Sequence, residues 1–148
     1  MSYTKLAQQL AEINKRMLSI SEYTKITDTN RGEGVLLSYL VRHDKEATPI
    51  ELSEALNVST ARIAALLNKL EKKNLVERQK HPDNNRNTIV KLLPKGEKLN
   101  KEQETIFNKK VIGFFETLGE EKAALFVELQ GKMVDFLINE QTGEKNNE

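Results

Sequence analysis

Six residues between positions 59 and 86 have side chains suited to nucleic-acid contacts. They are Ser59, Thr60, Arg62, Asn68, Lys69 and Arg86. Arg and Asn can form paired hydrogen bonds to base edges, whereas short side chains such as Ser and Thr allow close approach to a groove. We therefore predict base contacts by Thr60, Arg62 and Asn68, and phosphate contacts by the lysine and arginine side chains around them. The first five of these residues would be explained equally well by an ordinary solvated helix face that carries two cations.

The first five of these residues would be positioned by a pair of short helices. Thr48 is the predicted N-cap of the first helix, with Pro49 at its first position and Glu51 placed to complete a capping box. Asn57 ends this helix, because asparagine tolerates the left-handed backbone conformation that a sharp turn requires. Ser59 then caps a second helix, whose apolar residues recur at the i, i+3, i+4 and i+7 positions of one buried stripe. The stripe consists of Ile63, Leu66, Leu67 and Leu70.

A two-stranded wing is predicted to follow the helix pair. Asn74 closes the second helix, and β-type runs follow at residues 75–80 and 88–93. The polar segment 81–87 between them is predicted to be a loop with Arg86 at its tip, where a guanidinium can enter the negative potential of a minor groove. An ordinary hairpin loop with a solvated Arg86 is the alternative. The order of helix, turn, helix and hairpin is typical of a winged helix-turn-helix domain.

Three segments resemble the MarR family of bacterial transcription regulators. They are LNVS at 56–59, LLNKLEKKNLVER at 66–78 and RNTIVKLLPKG at 86–96. The resemblance covers nearly the whole chain and implies a mainly α-helical fold with a small β-wing, in which N- and C-terminal dimerisation helices flank the winged helix-turn-helix. It also implies that Arg86 contacts the minor groove. The family commonly has Asp, any residue and Arg in its wing, whereas here Asn84 stands at the acidic position and Asp83 comes one residue earlier.

The resemblance further implies a sequence-specific transcription regulator of double-stranded DNA, namely a ligand-responsive repressor that binds a pseudo-palindromic operator as a homodimer. The two recognition helices would then lie about 34 Å apart in successive major grooves. Tyr23, Tyr39, Arg42 and His43 could line a crevice for a small aromatic or anionic effector, although packing or surface roles would also explain them. The alternative is a winged-helix protein–protein interaction module without specific DNA binding, which would favour an apolar or acidic recognition face.

The helical patterns divide the chain into four predicted segments. They are an N-terminal dimerisation helix in residues 1–34, the winged helix-turn-helix DNA-binding domain in 35–96, C-terminal dimerisation helices in 97–140 and a disordered tail in 141–148. The N-terminal helix is predicted over residues 3–27, with apolar residues at alternating spacings of four and three. A narrow seam of this kind needs a partner, which predicts a two-fold homodimer.

The ends of the remaining helices are predicted from glycine and proline. Residues 28–34, DTNRGEG, contain two glycines and predict a flexible or tightly turned junction before a helix that begins at Val35. Pro94 marks the start of a long helix that Gly119 ends, and a last helix is predicted from Glu120 to about Asn139.

Charge is distributed unevenly along this chain of 148 residues with a formal net charge of +1. Residues 57–96 contain nine Lys or Arg and three Asp or Glu, which gives +6 and leaves −5 for the remainder. A basic block of this kind suits local contact with phosphates.

Several other functions are not predicted. No cysteine is present, and the two histidines, His43 and His81, have no metal-ligand spacing, so neither thiol redox sensing nor a metal site is expected. No nucleophile–histidine pair, glycine-rich phosphate loop or defined carboxylate pair is present, so we expect neither an enzyme nor a cofactor. Because there is no leader and no apolar run near the roughly 18 residues of a membrane span, we expect a cytoplasmic protein without a membrane partner.

Overall fold

The computed structural model describes residues 2–20 and 31–145, apart from the side chains of residues 31, 84–86 and 144–145. In chain order, the described elements are α1 (Tyr3–Leu18), α2 (Arg31–Arg42), β1 (Glu46–Ala47), α3 (Pro49–Leu56), α4 (Thr60–Lys72), β2 (Val76–His81), β3 (Asn84–Leu92), α5 (Pro94–Leu118) and α6 (Glu120–Lys145). The chain divides into two compact units, Met1–Lys101 and Glu102–Glu148. The predicted mainly α-helical fold with a small β-wing is confirmed.

The core of the first unit lies between α2, α3, α4 and the sheet. All four residues of the predicted α4 stripe are buried there, with exposed fractions between 0% and 8%. Helix α2 contributes Leu36, Leu37 and Leu40, and the sheet contributes Val76 and Val90. Because each fully buried aliphatic side chain stabilises a fold by about 1.5–3 kcal/mol, this cluster fixes the position of α4.

Polar residues shape the turns on either side of α3 and α4. Thr48 Oγ1 accepts a hydrogen bond from the Glu51 N–H at 3.2 Å, and the Glu51 carboxylate accepts one from the Thr48 N–H at 2.9 Å. This confirms the predicted capping box. Asn57 and Asn74 have φ angles of 52° and 57°, so the asparagines after both helices adopt the left-handed conformation.

The start of α2 corrects the prediction of a flexible or tightly turned junction at residues 28–34. Residues 31–34 are already helical, so the helix begins before Val35. Gly32 is needed for packing, because a Cβ at this position would lie 3.1 Å from Leu66 Cδ2 of α4. The absence of a side chain at Gly32 therefore lets α2 approach α4 closely.

The short strand β1 was not predicted, and it completes a three-stranded antiparallel sheet in the order β1–β3–β2. Its two residues pair with Val90 and Lys91 of β3. Asp44 and Lys45 precede it with φ angles of 56° and 62°. These two consecutive left-handed residues turn the chain onto the edge of the sheet. Neither is a glycine, so the residue types did not indicate a left-handed turn here.

Helix α1 leaves its apolar seam open to solvent. It has no buried residue, and the part of the predicted helix in residues 21–27 lies outside the described part of the chain. The seam residues are between 37% and 54% exposed, and they are Leu6, Leu10, Ile13, Met17 and Ile20. The described part of the chain therefore leaves this apolar surface exposed.

The predicted boundaries of α5 and α6 are correct at the start of α5 and at the junction of the two helices, but not at the end of α6. Pro94 begins α5, and Gly119, with a φ of 79°, separates the two helices. Helix α6 continues to Lys145 instead of ending near Asn139, so residues 141–145 are helical and not a disordered tail. The Thr142 hydroxyl donates a hydrogen bond to the Ile138 carbonyl at 2.7 Å, which accommodates a polar residue within this last part of the helix.

Candidate nucleic-acid interface

Helix α4 presents a smooth polar face on the side opposite its buried stripe. The residues that point away from the core are Ala61, Ala65, Asn68 and Lys72, and all four are exposed. The two alanines add little bulk, so the helix backbone could approach a groove closely along this line. The face therefore allows a close approach to a groove and carries two polar groups, the amide of Asn68 and the ammonium of Lys72.

The remaining predicted residues of α4 lie at its N-terminus and along its flank. Ser59 Oγ accepts the Arg62 N–H at 3.2 Å, so the Ser59 hydroxyl caps the helix. Thr60 and Lys69 are exposed. Arg62 Nη2 lies 3.7 Å from the position that a Cβ would occupy at Gly32, which places the guanidinium beside the start of α2. The helical repeat sets Arg62 about 120° around the axis from Asn68, so the two cannot lie on one line.

An arginine that sequence reasoning missed connects α4 to the wing. Arg78 of β2 donates from Nε to Glu71 Oε1 at 2.9 Å and from Nη2 to Glu71 Oε2 at 2.8 Å. Its Nη2 also donates to Asn68 Oδ1 at 2.6 Å, and its backbone N–H donates to Glu71 Oε1 at 3.0 Å. We call Asn68, Glu71 and Arg78 the Arg78 clasp. The opposite charges of Glu71 and Arg78, on the two sides of the turn at Asn74, were the sequence feature that could have indicated this ion pair.

The clasp holds both of its charged groups in their ionised forms. Hydrogen bonds from the Arg78 side chain lower the pKa of Glu71 below its usual value. The same hydrogen bonds raise the pKa of Arg78 above its usual value. Because the two side chains are each 32% exposed, the pair is partly screened by solvent, and its main effect is to fix geometry.

The wing is a tighter hairpin than predicted. Strand β3 begins at Asn84, so the predicted loop at 81–87 is reduced to a turn at Pro82 and Asp83. The Asp83 N–H donates to His81 Nδ1 at 3.1 Å within this turn. Arg86 therefore lies in β3 and not at the tip of the loop.

The backbone of β3 bulges at the position of Arg86. His81 pairs with Asn84, and Lys80 pairs with Thr88, so residues 85–87 have no partner in this register. A bulge of this kind redirects the side chains that it contains. The side chain of Arg86 lies outside the described part of the chain, so its minor-groove contact stays a prediction.

Comparison with known families agrees with this geometry. The MarR family model matches residues 30–88, from the start of α2 into β3. The matched residues contain α3, α4 and β2, which are the helix pair and the first long strand of the winged helix described above. A comparison with curated protein sequences finds no match.

Three solved structures share the fold of this chain over nearly their whole length. A variant of MepR from S. aureus is 24% identical, with 93% of this chain and 99% of that chain covered and a TM-score of 0.68. FabT from Streptococcus pneumoniae, in complex with DNA, is 20% identical, with coverages of 93% and 99% and a TM-score of 0.72. A variant of MarR from E. coli is 22% identical, with coverages of 90% and 97% and a TM-score of 0.66.

The described cations of the basic block at residues 57–96 fall into two groups. Three are paired with carboxylates: Lys73 with Glu33 at 2.7 Å, Arg78 with Glu71 at 2.8 Å, and Lys91 with Glu46 at 3.9 Å. The side chains of five others in the basic block form no ion pair among the described residues, and they are Arg62, Lys69, Lys72, Lys80 and Lys95. Because a cation that already has a carboxylate partner gains less from a phosphate, the second group contains the better phosphate contacts.

The residues suggested for an effector crevice are only partly brought together. The rings of Tyr39 and His43 stack with centroids 3.9 Å apart, and His43 Nδ1 lies 2.8 Å from the Tyr39 carbonyl oxygen. Arg42 Nε donates to the Ser38 carbonyl at 3.2 Å on its own helix. Tyr23 lies outside the described residues. The three described residues therefore form one polar and aromatic surface of α2, with Tyr39 also packed against the core.

An apolar groove lies at the junction of α5 and α6 within the second unit. It has a volume of about 660 Å³ and is lined by Ile112, Phe115, Glu116, Gly119, Glu120, Ala123, Ala124 and Val127. Within residues 2–20 and 31–145, no group of three or more His, Asp or Glu side chains is arranged to hold a metal ion. None of the described helices has the length and apolar character to cross a membrane.

Proposed function

We propose that this protein is a member of the MarR family and a ligand-responsive repressor that binds a pseudo-palindromic operator in double-stranded DNA as a homodimer. The observation that carries this proposal is the outer face of α4. Small side chains at Ala61 and Ala65 lie beside an exposed amide at Asn68, and the cations Arg62 and Lys69 at the edge of the face have no carboxylate partner among the described residues. This combination favours a major-groove contact over a protein-binding face, which would be apolar or acidic.

We assign different roles to the residues of this interface. Thr60, Arg62 and Asn68 would contact base edges, because they can enter the groove from α4. Ser59 and Lys69 would contact phosphates at the groove edge and set the register. Arg86 would extend from the wing into the adjacent minor groove, where the negative potential favours a guanidinium.

The homodimer is supported by the apolar surfaces outside the winged helix. Large apolar side chains of α1 are 37–63% exposed, and those of α5 and α6 include Phe107 at 64% and Phe136 at 61%. Contiguous apolar surface of this kind marks an association site. We infer that α1, α5 and α6 of two copies pack together around a two-fold axis, which would place two α4 helices in successive major grooves about 34 Å apart.

A small aromatic or anionic effector would act by changing the separation of the two α4 helices. Stacked Tyr39 and His43 offer an aromatic surface, and neighbouring Arg42 offers a positive charge. An effector that binds more tightly to a dimer with a different spacing would lower the affinity for the operator. Titration of a preformed complex with benzoate and related aromatic acids tests this step, because release of the duplex is expected only if the site exists.

The DNA-binding proposal is tested by fluorescence anisotropy with duplexes that span the DNA upstream of its own gene. Affinity for one duplex should exceed affinity for scrambled DNA, and it should fall steeply between 50 and 200 mM salt, as counterion release requires. Lys69→Ala should weaken binding to all sequences and, because the homodimer loses one phosphate contact in each subunit, reduce the salt slope by about 1.8. Arg86→Ala should also weaken binding and flatten the salt dependence.

Lys132→Ala is the matched control for these variants, because its ammonium pairs with Glu128 on α6 at 2.6 Å. It should leave both the affinity and the salt slope unchanged. Binding that is independent of salt and sequence would contradict the proposal and favour a protein–protein interaction module.

A further inference from the structure

The Arg78 clasp determines which polar atom of Asn68 is available for recognition. Arg78 Nη2 lies 2.6 Å from Asn68 Oδ1. A guanidinium carries five N–H donors and no acceptor, so the Asn68 atom that faces it must be the carbonyl oxygen and not the amide nitrogen. The orientation of the Asn68 amide therefore follows from the chemistry of its neighbour.

Arg78 is itself held in place by several contacts. Two of its nitrogens donate to the two oxygens of Glu71, and its backbone N–H donates to the same carboxylate. Glu71 lies three residues after Asn68, so both side chains project from neighbouring positions of α4. The carboxylate thus fixes the guanidinium, and the guanidinium fixes the amide.

Asn68 occupies the centre of the candidate recognition face. It is exposed opposite the buried stripe, between Ala65 one turn earlier and Lys72 one turn later. Its Nδ2 group has no hydrogen-bond partner within the described part of the chain. The side chain therefore offers two N–H donors at this position, while Oδ1 is turned towards Arg78 and has one of its two lone pairs occupied.

We propose that Arg78 is a positioning residue that turns Oδ1 of Asn68 towards the wing and leaves Nδ2 as the group that reads DNA. This inference rests on the proposed DNA-binding function. An unrestrained asparagine pairs with adenine, because Oδ1 accepts from N6 while Nδ2 donates to N7. With Oδ1 held by Arg78, Asn68 instead favours guanine, whose N7 and O6 are both acceptors, and disfavours cytosine, whose N4 is a donor.

The test begins with operator duplexes in which each base pair is replaced in turn. Comparison of the wild type with Asn68→Ala identifies the base pair that Asn68 contacts. At that pair, the wild type should prefer guanine over adenine by about 5- to 150-fold, the range of a good bidentate contact. Arg78→Lys keeps the charge and can still pair with Glu71, but it lacks the planar fork that reaches both partners. It should reduce the guanine-to-adenine ratio to within about threefold at that pair while preferences elsewhere in the operator persist.

A second variant and a matched control complete the experiment. Asn68→Asp keeps an acceptor towards Arg78 and removes both donors, so it should lose the guanine preference even if Arg78→Lys folds poorly. Arg16→Lys makes the same chemical change in α1, outside the winged helix, and it should leave every base preference unchanged.

Each alternative outcome has a separate meaning. An equal loss of affinity for all duplexes in Arg78→Lys, with unchanged base ratios, would assign Arg78 a purely structural role and overturn the inference. If Asn68→Ala changes no base preference, the inference fails although operator binding stands. If the wild type binds no duplex with preference over scrambled DNA, the proposed function itself fails, and the inference fails with it.

Discussion

The winged helix of this protein buries most of its large apolar side chains, whereas the flanking helices leave most of theirs exposed. In the winged helix, Leu37 and Leu67 are both 1% exposed within one shared core. On α1 and α6, Leu10 and Leu129 are 54% and 53% exposed, and several other large apolar side chains of the same helices are exposed with them. The first region completes its own core, whereas the second offers surface that a single chain leaves uncovered.

This difference separates two sources of stability. A core made within one chain contributes the same free energy at every protein concentration, whereas an apolar seam contributes only when a partner covers it. The recognition helix belongs to the first region, and the proposed two-fold spacing of two such helices depends on the second. Substitutions in the two regions should therefore differ in size and in their dependence on concentration.

The largest effect is expected for Leu67→Ala in the core of the winged helix. The change removes a side chain that is 1% exposed and leaves a cavity, so the free energy of unfolding should fall by about 2–5 kcal/mol. Urea denaturation at two protein concentrations measures this loss, which should be similar at both. A loss well below about 1 kcal/mol would show that Leu67 does not belong to a tightly packed core.

A smaller effect is expected for Gly96→Ala at the start of α5. A methyl group there would overlap the Leu75 carbonyl oxygen and lie 2.8 Å from Leu92 Cδ1, so the helix should shift at a cost of about 1–3 kcal/mol. The matched control is Gly143→Ala in α6, where nothing lies within 4 Å of the added methyl. That change should be neutral or stabilising by up to about 1 kcal/mol, because alanine favours helix more than glycine does. Equal effects in thermal unfolding would contradict the close packing at Gly96.

The third prediction concerns the seam of α1. Leu10→Glu should raise the dissociation constant of the homodimer at least tenfold, about 1.4 kcal/mol, because it places a charge in an apolar interface. Sedimentation at several concentrations measures the change. Gln8→Glu introduces the same charge on the opposite side of the helix and should leave the dimer intact. A dimer that tolerates both charges would remove α1 from the interface.

The smallest effect is expected for Glu71→Gln in the Arg78 clasp, which should cost about 0.2–1 kcal/mol at pH 7 because the pair is partly exposed. The pKa of Glu71 is lowered in the folded protein by its hydrogen bonds to Arg78, so this stabilisation is present above the ordinary value near 4.5. It is lost as the pH falls through the lowered pKa of the folded state. Denaturation of both proteins from pH 7 to pH 3 should show their stabilities converging in acid. A constant difference would mean that the carboxylate charge is not what stabilises the clasp.

Local sequence patterns predicted much of the winged helix. The capping box at Thr48, the left-handed turn at Asn57 and the buried stripe that includes Ile63 depend on residues within a few positions of one another. Such features follow from helix periodicity and capping chemistry. The MarR family model matches residues 30–88, so the resemblance is confirmed over most of the winged helix. The polar and basic surface of α4 followed directly from its periodicity, since residues outside the buried stripe must face away from the core.

Only the tertiary structure determined how distant residues share space. Gly32 was interpreted as part of a junction, but its contact with Leu66 of α4 makes it a packing residue. Asn68 was predicted to offer both a donor and an acceptor, but Arg78 from the wing occupies the acceptor. Periodicity specifies which side of a helix a residue occupies, since that depends on its neighbours along the chain. It does not specify which side chain from another element meets it there, because that depends on how the elements pack.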